Sequence, residues 1–337
     1  MELLITGSTG FVGRNLLLRL LAEERWNRWG KIILPVRDPE KLRVQLAGEG
    51  IEISAPGGRL QICQVSGDAW ELPPSIRPDL VIHAAGRLFG RDRKEYFKTN
   101  VEGGLNLAAQ LPEGTRMILL SSLAAGGPTP DGGEARIIGD EDVPVSFYGA
   151  SKLAMERELR AMLGERLLVL RPPMVLGPRD AATLPLFQMA GGWLRVKPGF
   201  APKQYSWIAV DDLCEAILIA ASSPWPRNQS RLFYLASGGV ITDTQLLETA
   251  AEVIGCKGVT LPLPQALIQV VALVLDSVPS WRGAVPSLGR DRVKEILPNR
   301  WVADGRDFSE KFKWQPGRDL SKTLEETAKW LREQGKI

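Results

Sequence analysis

The chain has 337 residues, of which 44% are hydrophobic and 24% charged, and this ordinary globular composition excludes disordered, collagen-like and coiled-coil proteins. Its 42 basic and 39 acidic residues leave a formal net charge of +3, too small an excess for the basic stripe of a nucleic-acid-binding protein. Three cysteines without CxxC spacing and a single histidine predict a reducing, cytoplasmic compartment and no structural metal.

Neither an export signal nor a membrane span is predicted. The N-terminus leads directly into Leu3–Ile5 and a glycine turn, which leaves no room for a signal peptide. The most apolar window, residues 266–275, has about half of the roughly 20 residues that a spanning helix needs. A buried or surface-lying helix is expected there, and contact with a membrane surface stays open.

Short apolar runs alternate with helix-length segments along the first half of the chain. Because these runs are apolar almost throughout, we expect helices on both faces of one sheet. Leucine spacing in 15–24 and the apolar pattern of 150–162 predict two amphipathic helices. The sequence therefore predicts an α/β protein with a doubly wound parallel sheet of the Rossmann type. The predicted strands are Leu3–Thr6, Lys31–Val36, Gln61–Val65, Leu80–His83, Met117–Ser121 and Leu167–Leu170.

The rhythm changes after Pro172, where proline- and glycine-rich stretches carry scattered tryptophans. We therefore expect a dinucleotide-binding domain in 1–176 and a smaller, mainly substrate-binding domain in 177–337. The two are expected to be interleaved in sequence.

A glycine-rich turn, Thr6-Gly-Ser-Thr-Gly-Phe-Val-Gly13, follows the first strand and opens the first helix. Gly7 permits the tight turn, Gly10 lets the backbone approach a pyrophosphate, and Gly13 allows close helix packing. The spacing is GxxGxxG and not GxGxxG, so a purely structural turn is the alternative. The strand–turn–helix context favours phosphate binding.

The end of the second strand indicates which dinucleotide is bound. An acidic residue there would bind the ribose hydroxyls of NAD, but the sequence reads Val36-Arg37-Asp38-Pro39. The guanidinium of Arg37 suits a 2′-phosphate, so NADP(H) is favoured and NAD(H) remains possible. In the alternative, Arg37 is a solvated loop residue and Asp38 binds the ribose.

Tyr148 and Lys152 are four residues apart at the start of an amphipathic helix and therefore share one face. A phenol with a pKa near 10 is a poor acid or base at neutral pH, and a neighbouring ammonium is expected to lower that pKa. The same spacing also occurs by chance on solvated helices. Ser121-Ser122, at the end of a predicted strand, strengthens the catalytic interpretation.

Together these segments resemble the extended short-chain dehydrogenase/reductase family, which includes NAD-dependent epimerases and dehydratases. The resemblance covers nearly the whole chain, and Val36–Pro39 with Ser121–Pro128 is most similar to the dihydroflavonol reductase and 3β-hydroxysteroid dehydrogenase branch. The segments that carry it are TGSTGFVG (6–13), HAAG (83–86), NVEG (100–103), SS (121–122), YGASK (148–152), RPP (171–173), WIAVDDL (207–213) and WQP (314–316).

The resemblance implies a catalytic set. Tyr148 would be the general acid/base, Lys152 the ribose ligand that modulates its pKa, and Ser122 the hydroxyl that holds the substrate carbonyl. Ser122 is chosen over Ser121 by its spacing to Gly126, and His83 is expected to be structural. The residues implied to bind the cofactor, with Arg37, are Gly7, Thr9, Gly10, Phe11, Val12, Gly13, Asp68, Ala69, Ala84, Ala85, Gly86, Asn100, Lys152, Pro172 and Pro173.

Two departures from the family pattern narrow the chemistry. Sugar-nucleotide epimerases of the family usually carry an Asn, which touches the diphosphate, where this chain has Met174. The dehydratases place Asp-Glu after the catalytic hydroxyl, where this chain has Leu123-Ala124. The sequence thus favours an NADP(H)-dependent oxidoreductase acting on a largely apolar ketone, aldehyde or alcohol. An NAD-dependent epimerase and a non-catalytic NADP-binding sensor or scaffold are the alternatives.

The remaining expectations concern the pocket and the oligomer. Leu184, Leu186, Phe187, Met189, Trp193 and Trp207 could line an apolar pocket or form plain core. The family resemblance implies a homodimer through the helices beginning near Arg91 and Ser151. Its apolar contacts would come from Leu105, Leu107, Met155 and Leu159, unless these face their own sheet.

Overall fold

The computed structural model describes residues 1–51, 58–67, 70–130, 132–226, 231–237, 239–267 and 290–337. In these ranges the strands are β1 (Glu2–Thr6), β2 (Lys31–Val36), β3 (Leu60–Gln64), β4 (Leu80–His83), β5 (Arg116–Leu120), β6 (Leu167–Arg171), β7 (Met174–Leu176), β8 (Leu194–Pro198), β9 (Gln204–Ala209), β10 (Leu232–Tyr234), β11 (Val240–Thr242), β12 (Val259–Leu263) and β13 (Arg300–Trp301).

The described helices flank these strands, and a π-helical stretch, Phe97–Glu102, joins the third helix to the fourth. They are α1 (Phe11–Ala22), α2 (Pro39–Ala47), α3 (Arg93–Tyr96), α4 (Gly103–Ala109), α5 (Leu123–Gly126), α6 (Phe147–Leu163), α7 (Leu184–Ala190), α8 (Val210–Ser222), α9 (Asp243–Ile254), α10 (Arg290–Ile296), α11 (Arg306–Phe312) and α12 (Leu320–Glu333).

Seven strands form the main sheet in the order β10-β6-β5-β4-β1-β2-β3, and every pairing in it is parallel. The residues of β1 explain why helices cover both faces. Leu3 and Ile5 pack into one core cluster together with Leu16 of α1, whereas Leu4 packs into the opposite cluster together with Met155 of α6. The sequence-based prediction of a doubly wound, Rossmann-type sheet is confirmed.

The sheet order fixes where a ligand can bind. The chain leaves β1 towards β2 and β3, and then returns to β4 on the other side of β1. In open parallel sheets the crevice at such a reversal lies outside the carboxyl ends of the strands. The residues that follow β1, β4, β5 and β6 therefore face one common site.

Smaller sheets lie beyond the main one. β9 pairs with β7, β11 and β13, while β8 and β12 form a separate two-stranded ribbon. A third core cluster, which includes Phe187, Trp207 and Leu324, packs α7, α9 and α12 together with these strands. β10 follows residue 177 in the chain but pairs with β6 in the main sheet. With a boundary at residue 177, the two proposed domains would therefore be interleaved. The boundary at residue 177 remains a proposal.

The structure bears on two sequence-based expectations, the dimer contacts and the absence of a membrane span. Leu107, Met155 and Leu159 are fully buried in the chain's own core, so the dimer contacts predicted from these three side chains are wrong, whereas Leu105 packs against the same cluster and is only partly buried. Within the described ranges, no helix combines the length and the apolar character needed to cross a membrane. Of the apolar window 266–275, residues 268–275 lie outside the described part of the chain.

Candidate active site

The glycine turn between β1 and α1 is held by close backbone packing. Gly7 has φ +74°, a left-handed conformation that favours glycine, and a Cβ on it would lie 2.8 Å from backbone atoms of Ala84 and Ala85. A Cβ on Gly13 would lie 2.2 Å from the carbonyl oxygen of Gly7. Larger residues at either position would push the turn away from β4 or α1.

This turn presents hydrogen-bond donors to one wall of a cavity. Gly10 caps α1, whose first turn contains no acidic side chain that would neutralise the positive end of the helix dipole. The Ser8 hydroxyl is buried and has no hydrogen-bond partner among the described residues. Sequence reasoning missed Ser8, although it stands between the glycines of the motif. The first turn of α1, which lines the cavity, fits the pyrophosphate of a dinucleotide, whereas Ser8 itself does not line the cavity.

Arg37 stands exposed just after β2. The described residues show no hydrogen bond or ion pair to its guanidinium. Asp38 is engaged instead, because its Oδ1 accepts a hydrogen bond from the Lys41 backbone N–H at 3.0 Å and caps α2. Asp68 and Ala69, implied by the family resemblance, lie outside the described residues.

Tyr148 and Ser122 meet because two short helical segments approach closely. Ser146 caps α6, and a Cβ on Gly149 would lie 2.3 Å from the Ala124 carbonyl oxygen, so glycine lets α6 contact α5. The Ser122 Oγ accepts a hydrogen bond from the Ala124 N–H at 3.1 Å and lies close enough to the Tyr148 hydroxyl to act on its pKa. The two hydroxyls therefore stand side by side on the cavity wall.

Burial raises the pKa of Tyr148 to about 12, and the neighbouring Ser122 side chain only partly opposes this. The expectation of a lowered pKa beside the Lys152 ammonium is wrong, since desolvation of the phenolate dominates. Tyr148 is thus a neutral phenol at physiological pH. In that form it can donate a proton to an oxygen on which negative charge develops.

Lys152 lies one turn further along α6, with its ammonium buried. Burial lowers the pKa of Lys152 to about 8, and the charge of Glu156 opposes this effect. The Lys152 Nζ donates a hydrogen bond to the Leu120 carbonyl oxygen at 2.9 Å. A Cβ on Gly86 would lie 3.1 Å from the same nitrogen. The ammonium therefore sits between the ends of β4 and β5, where a ribose would lie.

Asn100 supports this arrangement from behind. Its side-chain amide donates to the Ser151 Oγ at 2.8 Å, and Ser151 in turn donates to the Tyr148 carbonyl oxygen at 2.8 Å. The Asn100 Oδ1 accepts a hydrogen bond from the Arg87 N–H at 2.7 Å. Because protein groups occupy this amide, Asn100 holds the turn after Gly86 against α6. It does not itself line the cavity.

His83 lies within the core behind the same turn. Its Nδ1 is 2.9 Å from the Thr6 hydroxyl, and that hydroxyl accepts a hydrogen bond from the Ala85 N–H at 3.1 Å. Burial lowers the pKa of His83 to about 3, so the ring is neutral. This environment agrees with the structural role expected from the sequence.

One cavity of about 720 Å³ brings most of the expected site residues together. Thr9, Arg37, Ala85 and Asn100 are outside its lining. The expected residues that line it are Gly7, Gly10, Phe11, Val12, Gly13, Ala84, Gly86, Ser122, Tyr148, Lys152, Pro172 and Pro173.

Beyond the site predicted from the motifs, the cavity continues between α7, the β8/β12 ribbon and α9. Its walls there are mainly apolar and include Met174, Leu186, Met189, Val196 and Leu246. Of the other aromatic and aliphatic residues considered from the sequence, Phe187 and Trp207 belong to the core, Leu184 packs against it, and Trp193 is exposed.

The charged groups of this extension were not found from the sequence. Lys197 Nζ lies 3.5 Å from Asp243 Oδ2, and Arg292 Nη1 lies 2.5 Å from Glu295 Oε2. With Lys152, these are the cationic residues among the described lining, and both outer cations have an acidic partner that also lines the cavity. Neither offers an uncompensated positive charge to an anionic substrate.

Comparisons with known proteins agree with this geometry. The model of the NAD-dependent epimerase/dehydratase family matches residues 3–234. A "Ceramide reductase" of Caulobacter vibrioides (strain NA1000 / CB15N) is 29% identical over 308 residues, covering 91% of this chain and 87% of that protein. A "Putative dihydroflavonol 4-reductase" of Synechocystis sp. (strain ATCC 27184 / PCC 6803 / Kazusa) is 24% identical, covering 99% and 95%.

A solved structure shares the fold over the whole chain. It is the UDP-glucose 4-epimerase of Thermotoga maritima with UDP-glucose, which aligns with a TM-score of 0.71 and 19% identity over 99% of both chains. At this identity the likeness concerns the fold alone.

Proposed function

The chain belongs to the NAD-dependent epimerase/dehydratase family, and we propose that within this family of NAD(P)-dependent enzymes it is an NADP(H)-dependent oxidoreductase. It interconverts a ketone or aldehyde with an alcohol on a largely apolar small molecule. One observation carries this proposal: Ser122, Tyr148 and Lys152 line the same mainly apolar cavity. The two other cations of the described cavity lining, Lys197 and Arg292, are paired with acidic residues.

The residues present fit a dinucleotide. The turn from Gly7 to Gly13 would hold the pyrophosphate, Lys152 the nicotinamide ribose, and Arg37 the 2′-phosphate of NADP. When bound, NADPH supplies the hydride that adds to the substrate carbonyl carbon. The prolines Pro172 and Pro173 give this end of the cavity an apolar wall.

The protein's own contribution is to hold and move a proton. Ser122 and Tyr148 direct two hydroxyls at the substrate oxygen, and each preorganised donor of this kind contributes about 2.7–4 kcal/mol in other enzymes. Tyr148 donates the proton as charge develops on that oxygen. The Lys152 ammonium, charged below a pKa of about 8, stabilises the phenolate that remains.

Nucleotide-sugar epimerisation is the second candidate, because the family includes epimerases and the same three residues would serve. Met174 and the Arg292–Glu295 pair count against it, since a diphosphate needs polar or positively charged contacts. A non-catalytic sensor is a weaker candidate, because it has no need of the intact Tyr148–Lys152 pair.

Cofactor choice is tested at Arg37. We expect the wild-type protein to bind NADPH more tightly than NADH, and Arg37→Ala to weaken NADPH binding by about 1.5–3 kcal/mol through loss of a charge-assisted hydrogen bond. NADH binding should be nearly unchanged. Fluorescence titration of both cofactors measures this, with Arg43→Ala on the exposed face of α2 as the control. Equal or tighter NADH binding by the wild type would refute the assignment.

Substrate class is tested by thermal stabilisation with NADP present. Steroid-like, phenylpropanoid-like and long-chain keto compounds are compared with UDP- and dTDP-sugars. Since a ligand that binds the folded state raises the melting temperature with its concentration, we expect such a rise among the apolar compounds only. A rise with a nucleotide sugar and with none of the others would favour the epimerase.

A further inference from the structure

The β8/β12 ribbon presents an apolar face to solvent. In its parallel pairing Leu194 lies opposite Val259, and Val196 opposite Leu261, and all four side chains are exposed. Arg195, between Leu194 and Val196, is buried instead and donates a hydrogen bond to the Ala190 carbonyl oxygen. The usual alternation is thus reversed, with the polar residue inside and the apolar residues outside.

Two aromatic residues extend this face beyond the ends of β8. Trp193 is 76% exposed and Phe200 is 71% exposed. We call Trp193, Leu194, Val196, Phe200, Val259 and Leu261 the ribbon face. Scattered apolar residues on a surface are ordinary, but two exposed aromatic residues next to four exposed aliphatic residues of one strand pair favour an interaction site.

The ribbon face is continuous with the substrate cavity. Val196 belongs to both, Pro198 at the end of β8 lines the cavity, and Met189 of α7 lines it while remaining partly exposed. The cavity therefore reaches the surface at the ribbon face, beside the paired Lys197 and Asp243, and an apolar molecule can enter it there. A protein partner or a second copy seated there would cover that entrance.

One exposed basic side chain flanks the ribbon face. Segments 193–203 and 257–267 contain four basic residues and no acidic residue, but Arg195 and Lys203 are buried and Lys197 pairs with Asp243 of α9. Lys257 is the exposed one, at the start of β12. An exposed tryptophan, aliphatic side chains and a flanking lysine are the composition that binds at a lipid–water interface.

We propose that the ribbon face docks on the surface of a lipid bilayer, and that the cavity takes its apolar substrate directly from the lipid. The proposal rests on the proposed function in its second half, because it assumes that the cavity binds an apolar molecule. Docking itself needs neither cofactor nor turnover.

The test is cosedimentation of the full-length protein with vesicles of phosphatidylcholine alone and with 30% phosphatidylglycerol, to be made at about 0.15 M salt. We expect binding to both and tighter binding to the anionic vesicles. Trp193→Glu with Phe200→Glu should weaken binding about tenfold or more, because two charges replace the interfacial aromatics. The matched control is Val44→Glu on α2, since Val44 is 65% exposed and far from the ribbon in the fold.

NADPH titration of each variant shows that the fold and the cofactor site persist, so loss of docking is distinguishable from failure of the proposed function. The proposal is overturned if the wild-type protein cosediments with neither kind of vesicle. Equal loss of binding in Val44→Glu overturns it too. A third result would also overturn the proposal. If the wild type binds no vesicles but self-associates, and the double variant does not self-associate, the ribbon face binds a second copy of the chain.

Discussion

Replacing Tyr148 by Phe is expected to lower kcat for carbonyl reduction by about 100- to 10,000-fold, the usual contribution of a positioned general acid. The ring stays in place, so packing at the start of α6 is preserved and the Kd for NADPH should change by less than about twofold. Only the proton that is donated to the substrate oxygen is lost. Stopped-flow or steady-state assays of NADPH oxidation, together with cofactor titration, measure both quantities.

Tyr96→Phe is the matched control for this variant. The Tyr96 ring lies 6.3 Å from that of Tyr148, but its hydroxyl donates to the Leu88 carbonyl oxygen at 3.4 Å and does not line the cavity. Its removal should leave kcat nearly unchanged. Wild-type turnover in Tyr148→Phe, or an equal loss in both variants, would show that Tyr148 is not the acid/base.

Replacing Arg171 by Met is expected to lower the free energy of unfolding by about 3–5 kcal/mol, as when one partner of a buried ion pair is removed. Arg171 is 2% exposed, and it donates to Glu156 at 2.9 and 2.6 Å and to Asp142 at 2.6 and 2.9 Å. The Glu156 carboxylate is buried as deeply, and Ser121 also donates to it. Without Arg171 the buried Glu156 carboxylate would lose its ion-pair partner.

Urea unfolding measures the loss, with Arg306→Met as the control. Arg306 also pairs with a carboxylate, that of Asp304, but its side chain is 83% exposed, and such pairs contribute little. The double variant Arg171→Met, Glu156→Met should be more stable than Arg171→Met alone, because the buried charge is gone. A loss no greater than that of Arg306→Met would contradict this account of the network.

The strands of the main sheet could be predicted because burial on both faces makes them continuously apolar. β2 and β4 have the predicted bounds, and the other four predicted strands differ from the observed ones by one residue at one or both ends. β10 was not predicted, since Leu232–Tyr234 is only three residues long and joins the sheet from far along the chain. A local pattern cannot show such a pairing.

The site shows the same division between local and long-range information. The glycine turn and the Tyr148–Lys152 pair are readable because each lies within one short segment. The Arg292–Glu295 pair reaches the cavity from α10, well over 100 residues after Tyr148, and no spacing connects the two. The direction of the Tyr148 pKa was predicted wrongly because burial, which sequence does not show, outweighs the neighbouring charge.

Helix faces were also ambiguous from the sequence. Leu107, Met155 and Leu159 have the apolar spacing of an interface, and the same spacing serves a helix that packs on its own sheet. The structure assigns all three to the core.

The most direct test of the central claim is single turnover with NADPH that carries two deuterium atoms at nicotinamide C4. The protein is mixed with a long-chain ketone from the thermal-shift series, and the product is analysed by mass spectrometry. The account predicts an alcohol with one deuterium on the former carbonyl carbon for each NADPH oxidised, and no such product with Tyr148→Phe. No transfer of label to any apolar carbonyl compound, together with conversion of a UDP-sugar to its epimer without net NADPH oxidation, would contradict it.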